Sequence, residues 1–160
     1  MVSDTFFDVA IALGSNLGDR RAHLQYAVDA LRLDLTDVAV SSFVETEPVG
    51  VGQEHGPYLN AALVGRTRLP VRALLDRLME IEEETGRVRP YPMAPRTLDL
   101  DLILYGDATV EEHGIRVPHP RFRERRFVLA PLAEIAPDMV DPVTGKTIAD
   151  LLVAQRDDRI

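Results

Sequence analysis

Residues 96 to 105 read Arg-Thr-Leu-Asp-Leu-Asp-Leu-Ile-Leu-Tyr, and their period of two is the strongest constraint in the chain. A helix would scatter these leucines around its circumference. An extended strand puts Leu98, Leu100, Leu102 and Leu104 on one face, and Thr97, Asp99, Asp101 and Ile103 on the other. The leucine face seeks a core. Asp99 and Asp101 then stand about 6.6 Å apart at the backbone, so their carboxylates converge and repel each other unless positive charge lies between them. Alternation alone also describes a half-solvated antiparallel strand. Here, however, the aspartate face continues with Ile103 and Tyr105, which makes it a covered face with two acids in its middle, and covered acids need partners.

A divalent cation meets that need, because Mg²⁺ takes oxygen ligands and is usually held by one or two carboxylates plus substrate phosphates. Gly86-Arg87-Val88-Arg89 precedes the strand and Arg96 starts it. Arginine suits bidentate contact with phosphate. Paired acids beside clustered arginines suggest a metal–nucleotide site.

With 160 residues, 46% of them hydrophobic, the chain is expected to form one domain over residues 1–160. The absence of cysteine removes disulfide and thiolate chemistry. No basic-then-apolar leader and no run of about 18 apolar residues is present, so a cytoplasmic protein without a membrane span is expected. A net charge of −8 argues against broad binding to nucleic acid or anionic membrane. Basic charge is nonetheless uneven: eight of the 18 Lys and Arg lie between Arg87 and Arg126. Lys146 is the sole lysine, so an arginine taken alone means little here.

Val9, Ile11 and Leu13 alternate in a first strand that ends at Gly14-Ser15-Asn16-Leu17-Gly18. That glycine-rich stretch matches neither of the common phosphate-loop patterns and reads more simply as a tight turn. Gly145-Lys146-Thr147 imitates the end of a P-loop, but Val140 stands where the motif needs glycine. Asp19 is a candidate N-cap for a helix with Leu24, Ala27, Val28, Leu31 and Leu35 on one side. Residues 38–45 read as a second strand and 58–64 as a third, with Tyr58 and Asn60 on one face and Leu59, Ala61 and Leu63 on the other. An aromatic ring beside an amide can stack on a heterocycle and bond its edge, or can simply serve a strand and its loop. Pro70 opens a second helix, Leu74, Leu75, Leu78 and Ile81 form its stripe, and Gly86 closes it. Glu80, Glu82, Glu83 and Glu84 crowd its end, as solvated charge or as partners for the arginines that follow. Gly106-Asp107 marks a hairpin turn before a short strand at 115–117. His119, between Pro118 and Pro120, has a restricted backbone suited to fixing a side chain or a rigid turn.

These motifs together resemble the 6-hydroxymethyl-7,8-dihydropterin pyrophosphokinase family. The resemblance is carried by Ala12-Leu13-Gly14-Ser15-Asn16-Leu17-Gly18, Thr46 to Gly50, Tyr58-Leu59-Asn60-Ala61, Gly86-Arg87-Val88-Arg89, Pro95-Arg96-Thr97-Leu98-Asp99-Leu100-Asp101, Val117-Pro118-His119-Pro120, Phe127 and Pro131-Leu132. It implies an α+β, ferredoxin-like fold: an antiparallel sheet with helices on one face, in a single compact domain. It also implies a reaction in which ATP gives its β,γ-diphosphate to the hydroxymethyl group of the pterin, releasing AMP, with two Mg²⁺ ions bridged by Asp99 and Asp101. The same resemblance places Thr46, Glu47, Pro48, Val49, Tyr58, Asn60 and Phe127 at the pterin. It places Arg87, Arg96, Ile103, His119 and Arg125 at the nucleotide, and makes Arg87, Arg89 and Arg96 catalytic beside the two aspartates. A monomer with these two small-molecule substrates is expected.

Two departures from the family pattern stand out. Met79 occupies a position where the family often has Gln, and the segment Pro90 to Ala94 looks short and lacks the Arg-Trp pair that many members close over their substrates. Two rivals bracket this reading. An RNA-binding module on the same topology conflicts with the net acidity and lacks the aromatic pattern such modules use. Another Mg²⁺-dependent phosphotransferase or nucleotidyltransferase would share the acids and arginines, and differs in its products.

Overall fold

The computed structural model describes residues 5–46, 57–86 and 97–157. Strand β1 (Phe7–Ser15) leads into helix α1 (Arg20–Asp34), then β2 (Thr36–Val40), β3 (Val44–Thr46), β4 (Tyr58–Thr67), helix α2 (Val71–Thr85) and β5 (Asp99–Tyr105). Sheet order is β2-β4-β1-β5, all antiparallel, with β3 also paired to β4. This is the ferredoxin-like arrangement that two strand–helix–strand units produce. Beyond it come a two-stranded ribbon of β6 (Val110–Glu112) and β7 (Ile115–Val117), a 3₁₀ turn at Phe122–Glu124, α3 (Arg126–Ile135) and α4 (Ile148–Asp157).

Both expected helices form where their apolar stripes lie. Asp19 accepts the Ala22 N–H at 3.1 Å, capping α1. Pro70 precedes α2, whose Leu74, Leu78 and Ile81 are buried, and Gly86 ends it with its N–H on the Glu82 carbonyl. These helices pack on Val9, Ile11 and Leu13 of β1, on Leu59, Ala61 and Leu63 of β4, and on Leu98, Leu100 and Leu102. Each leucine so buried stabilises the fold by roughly 1.5–3 kcal/mol.

Helices cover more than one face. Ala10, Ala62, Ile103 and Leu104 form a second core with Val128, Leu129 and Leu132 of α3 and Ile148 and Leu151 of α4, on the side opposite α1 and α2. The strict alternation of residues 98–105 breaks there as well. Leu102 pairs with Ile11 and Leu104 with Ala10, leaving Ile103 as an extra residue in a β-bulge. Past the bulge the two faces exchange. Leu104 therefore joins the aspartate side, and Tyr105 turns to the helix side, where it stacks on Phe7 at 4.8 Å and donates to the Leu69 carbonyl at 2.6 Å.

Other boundaries move for local reasons. The second strand splits into β2 and β3 because Ser41 uses its own hydroxyl, instead of backbone, to accept the Ala62 N–H at 2.8 Å, and Glu134 takes the N–H and hydroxyl of Ser42. The third strand runs on to Thr67. After Gly106 the chain turns tightly, and residues 115–117 pair with β6 instead of folding back on β5. Gly145-Lys146-Thr147 lies in the connection from α3 to α4, held by Asp141. That fully buried carboxylate accepts from Arg123 Nε at 2.5 Å and Nη2 at 3.0 Å, from Val143 N at 3.0 Å and from Thr144 Oγ1 at 2.8 Å.

Candidate active site

The aspartate face of β5 continues across the sheet as a floor. Asp99 and Asn60 stand opposite Gly14 from its two sides, and Asp101 and Ala62 stand opposite Ala12. Because Ala12 and Gly14 carry almost no side chain, the middle strand is low and the two outer strands are high. The trough is walled by Val44 and Thr46 of β3, by Met79 and Glu82 of α2, and by Glu124 to Val128 at the start of α3. It is a cleft of about 1400 Å³.

One rim is aromatic and neutral. Asn60 is buried and its Nδ2 donates to Thr46 Oγ1 at 2.5 Å, which fixes the plane of the amide. Gly14 makes that placement possible: a Cβ there would meet Asn60 Oδ1 at 3.2 Å and Tyr58 Cδ1 at 3.7 Å. Burial, and then the charge of Asp99, raise the Tyr58 pKa, so the phenol keeps its proton and lies within reach of that carboxylate's field. Phe127 is 41% exposed at the cleft with the Arg125 guanidinium 5.7 Å from its ring centre.

The other rim is charged. Glu82, from α2, accepts the Leu100 N–H at 2.7 Å and so fixes the backbone between the two aspartates. The Ile103 carbonyl accepts the His119 N–H at 3.1 Å. His119 Nδ1 accepts the Arg121 N–H at 3.2 Å, which leaves Nε2 as the protonated nitrogen of the neutral ring. Burial lowers the His119 pKa, Asp101 opposes the shift, and Arg125 and Arg121 reinforce it. Histidine, aspartate and arginine thus lie within one another's fields.

A model of the 7,8-dihydro-6-hydroxymethylpterin-pyrophosphokinase family matches residues 10–137. The chain belongs to that family. Named 2-amino-4-hydroxy-6-hydroxymethyldihydropteridine pyrophosphokinases resemble it over most of its length. The protein from Bacillus subtilis is 44% identical over 137 residues, 84% of this chain and 81% of its own. That from Pseudomonas aeruginosa is 42% identical over 148 residues, 91% and 90% of the two chains. That from Synechocystis is 43% identical over 145 residues, 89% and 73%. Among solved structures, the Plasmodium falciparum HPPK-DHPS wild type with pteroate superposes with a TM-score of 0.76 at 13% identity, over 97% of this chain. The chain spans 46% of that longer protein, and the likeness concerns the fold. The pyrophosphokinase family transfers pyrophosphate from ATP to hydroxymethyldihydropterin in folate biosynthesis, and this chain is a pyrophosphokinase.

Among the residues expected at the pyrophosphokinase site, Thr46, Tyr58, Asn60, Asp99, Asp101, Arg125 and Phe127 line the one cleft. Ile103 does not. The Ile103 side chain keeps the aspartate side but is 1% exposed, packed in the second core with α3, and the residue reaches the site only through its carbonyl's bond to His119. Glu47, Pro48, Val49, Arg87, Arg89 and Arg96 lie outside the described residues. Gly86 and Thr97, which flank residues 87–96, lie side by side, since a Cβ on Gly86 would run into Thr97 Oγ1. Met79 does face the cleft, 55% exposed. Sequence reasoning missed the part of Glu82 and the reason for Gly14. The alternation of Ala10, Ala12 and Gly14 against Val9, Ile11 and Leu13 was a signal that could have found the second.

Proposed function

We propose that the neutral rim binds the pterin and the charged rim binds the ATP polyphosphate with Mg²⁺. Asn60, Gly14 and Asp99, side by side on three strands, carry this reading. The shared register sets a stacking and edge-bonding surface one strand away from a carboxylate, as transfer to a hydroxymethyl group on a heterocycle requires. Tyr58 and Phe127 offer faces, and the Asn60 amide, with Thr46 behind it, offers an edge. Glu47, Pro48 and Val49 are assigned to the same pterin by the family resemblance.

The donor set fits a metal that arrives with its nucleotide. Among the described residues no cluster of three or more His, Cys, Asp or Glu forms a ready cage. Two carboxylates on one strand face match the way Mg²⁺ is usually shared between one or two acids and substrate phosphates. When bound at Asp99 and Asp101, two such ions would offset the charge of the polyphosphate and of the attacking and leaving oxygens.

The chain's own groups give the cleft a direction. Asp99 is the acid whose charge reaches Tyr58, and Asp101 the one whose charge reaches His119. The acceptor hydroxyl therefore belongs at the Asp99 end and the departing nucleotide at the Asp101 end. There the neutral His119 donates from Nε2 and Arg125 adds a fixed positive charge, and both act on charge that grows on the leaving oxygen. Arg87, Arg89 and Arg96 are assigned to the phosphates, consistent with the convergence of Gly86 and Thr97 beside β5. We take residues 1–160 as one pyrophosphokinase domain that acts as a cytoplasmic monomer. Incubation with ATP, Mg²⁺ and 6-hydroxymethyl-7,8-dihydropterin should yield AMP and a diphosphorylated pterin, with activity abolished by EDTA and restored by Mg²⁺. ADP or inorganic pyrophosphate as the sole nucleotide-derived product would overturn the reading.

A further inference from the structure

Arg20 is the first residue of α1, and its guanidinium spans two points on the back of the pterin rim. Nη2 donates to Glu45 Oε2 at 2.5 Å, and Nη1 donates to the Pro57 carbonyl at 2.7 Å. Glu45 immediately precedes Thr46 in β3, and Pro57 immediately precedes Tyr58 in β4. Thr46 and Tyr58 are register partners, as are Glu45 and Leu59. Successive side chains of a strand point to opposite faces, so Glu45 points away from the cleft while Val44 and Thr46 point into it. The arginine thus ties the two stems of one hairpin together from behind.

Sequence explains how it gets there. Ser15, the last residue of β1, pairs with Leu59, so the short turn from Ser15 to the Asp19 cap delivers the start of α1 beside the start of β4. A rigid fork of donors can hold two acceptors in a fixed relation, which a single flexible ammonium does less well. The Arg20 side chain is 28% exposed, so the ion pair with Glu45 is partly screened and its contribution to overall stability is small.

Resting on the functional reading above, we infer that Arg20 is a positioning residue for pterin recognition. By clamping Glu45 and Pro57 it sets the spacing of Thr46 and Tyr58, and through Thr46 the aim of the Asn60 amide, without touching either substrate. The nucleotide half of the cleft shares none of these contacts. Loss of the clamp should therefore raise the KM and Kd for the pterin and leave those for ATP unchanged.

The test compares wild type, Arg20→Met, Arg20→Lys and Glu45→Gln by titration with 6-hydroxymethyl-7,8-dihydropterin and with α,β-methylene-ATP plus Mg²⁺, alongside thermal midpoints. Arg20→Met is expected to weaken pterin binding about three- to tenfold, the usual reach of one or two charge-assisted bonds, with nucleotide affinity within twofold of wild type. Arg20→Lys should recover part of the loss, and Glu45→Gln, which keeps the Pro57 bond, should show a smaller loss in the same direction. Unchanged pterin affinity in Arg20→Met and Glu45→Gln would overturn the inference while leaving the functional reading intact. A parallel fall in pterin affinity, nucleotide affinity and midpoint would overturn it too, since that marks a merely structural residue. Wild-type protein that binds the nucleotide but no pterin would instead overturn the functional reading, and this inference with it.

Discussion

Gly14→Ala separates folding from recognition at the floor of the cleft. The residue lies in regular strand backbone, so alanine can adopt its conformation and loses less chain entropy on folding, a gain of roughly 0.5–1 kcal/mol. Against this, the new methyl would lie 3.2 Å from Asn60 Oδ1, tighter than ordinary contact by a few tenths of an ångström. Asn60 cannot step aside freely, being 5% exposed and tethered through Nδ2 to Thr46 at 2.5 Å. Crowding of this kind costs about 1 kcal/mol, so the two effects nearly offset each other and the thermal midpoint should move by no more than about 4 °C. Pterin recognition has no such offset. An amide pushed off its aim forfeits about 1–1.5 kcal/mol of edge hydrogen bonding, a loss of roughly five- to tenfold in affinity, and the raised floor adds to it. Titration calorimetry with 6-hydroxymethyl-7,8-dihydropterin, beside thermal melts of the same samples, measures both quantities. An unchanged pterin Kd in a stably folded variant, or a loss confined to the nucleotide, would show that the heterocycle does not lie over Gly14.

Asp99→Asn and Asp101→Asn should each lower turnover by orders of magnitude while leaving the melt intact, because Leu98, Leu100 and Leu102 still pack; near-normal turnover at saturating Mg²⁺ would dismiss the metal assignment. Tyr58→Ala should weaken pterin binding more than nucleotide binding, and titrations giving the reverse order would exchange the two rims. Burial by itself raises the Asp141 pKa, but the bonds from Arg123, Thr144 and Val143 outweigh it and hold the carboxyl below its ordinary value. Its stabilisation is thus complete above the unfolded pKa of about 3.9 and is lost as pH falls through the folded value. Asp141→Asn should accordingly be less stable than wild type by about 2 kcal/mol at pH 7, and urea melts should show that gap closing below pH 4; a gap that stays constant would contradict the linkage. Arg89→Ala should slow the single-turnover rate with little change in substrate affinity if that arginine replaces the one missing from the short proline-rich segment, and an unchanged rate would refer the role elsewhere, with the Arg121 to Arg126 segment as the next candidate.

Where periodicity had contrast, it located the fold. Val9, Ile11 and Leu13 stand among polar or small neighbours, and Leu74, Leu78 and Ile81 recur at helical spacing with Asp76, Arg77 and Glu80 between them, so their spacing reports strand and helix directly. From Leu102 to Tyr105 every residue is apolar, and a period of two then carries no information about which face each one takes. The bulge at Ile103 was invisible for that reason. The break between β2 and β3 depends on Ser41 bonding Ala62 and on Glu134 reaching Ser42 across 92 positions, which no local pattern contains. Helix α3 hid behind Pro131 and an apolar run too short to show which of its sides is buried. The site divides the same way. Two charges in an apolar strand announce themselves, whereas Glu82 is one of four glutamates near the end of α2, and its distinction is a tertiary bond to Leu100.

The bulge also accounts for where the histidine stands. An uninterrupted strand would put Tyr105 on the aspartate face with Ile103, and Leu104 on the helix side. With one residue inserted, Leu104 takes the place under α3 opposite Ala10, Tyr105 goes to the helix core, and the Ile103 carbonyl is left for the His119 N–H. That bond docks the segment after β7 against β5 two residues beyond Asp101, so the imidazole comes within the field of that carboxylate and of Arg125. The residue whose side chain contributes nothing to the cleft thereby sets the relation between its acid and its histidine. Deleting Ile103, rather than changing its side chain, is what would separate them.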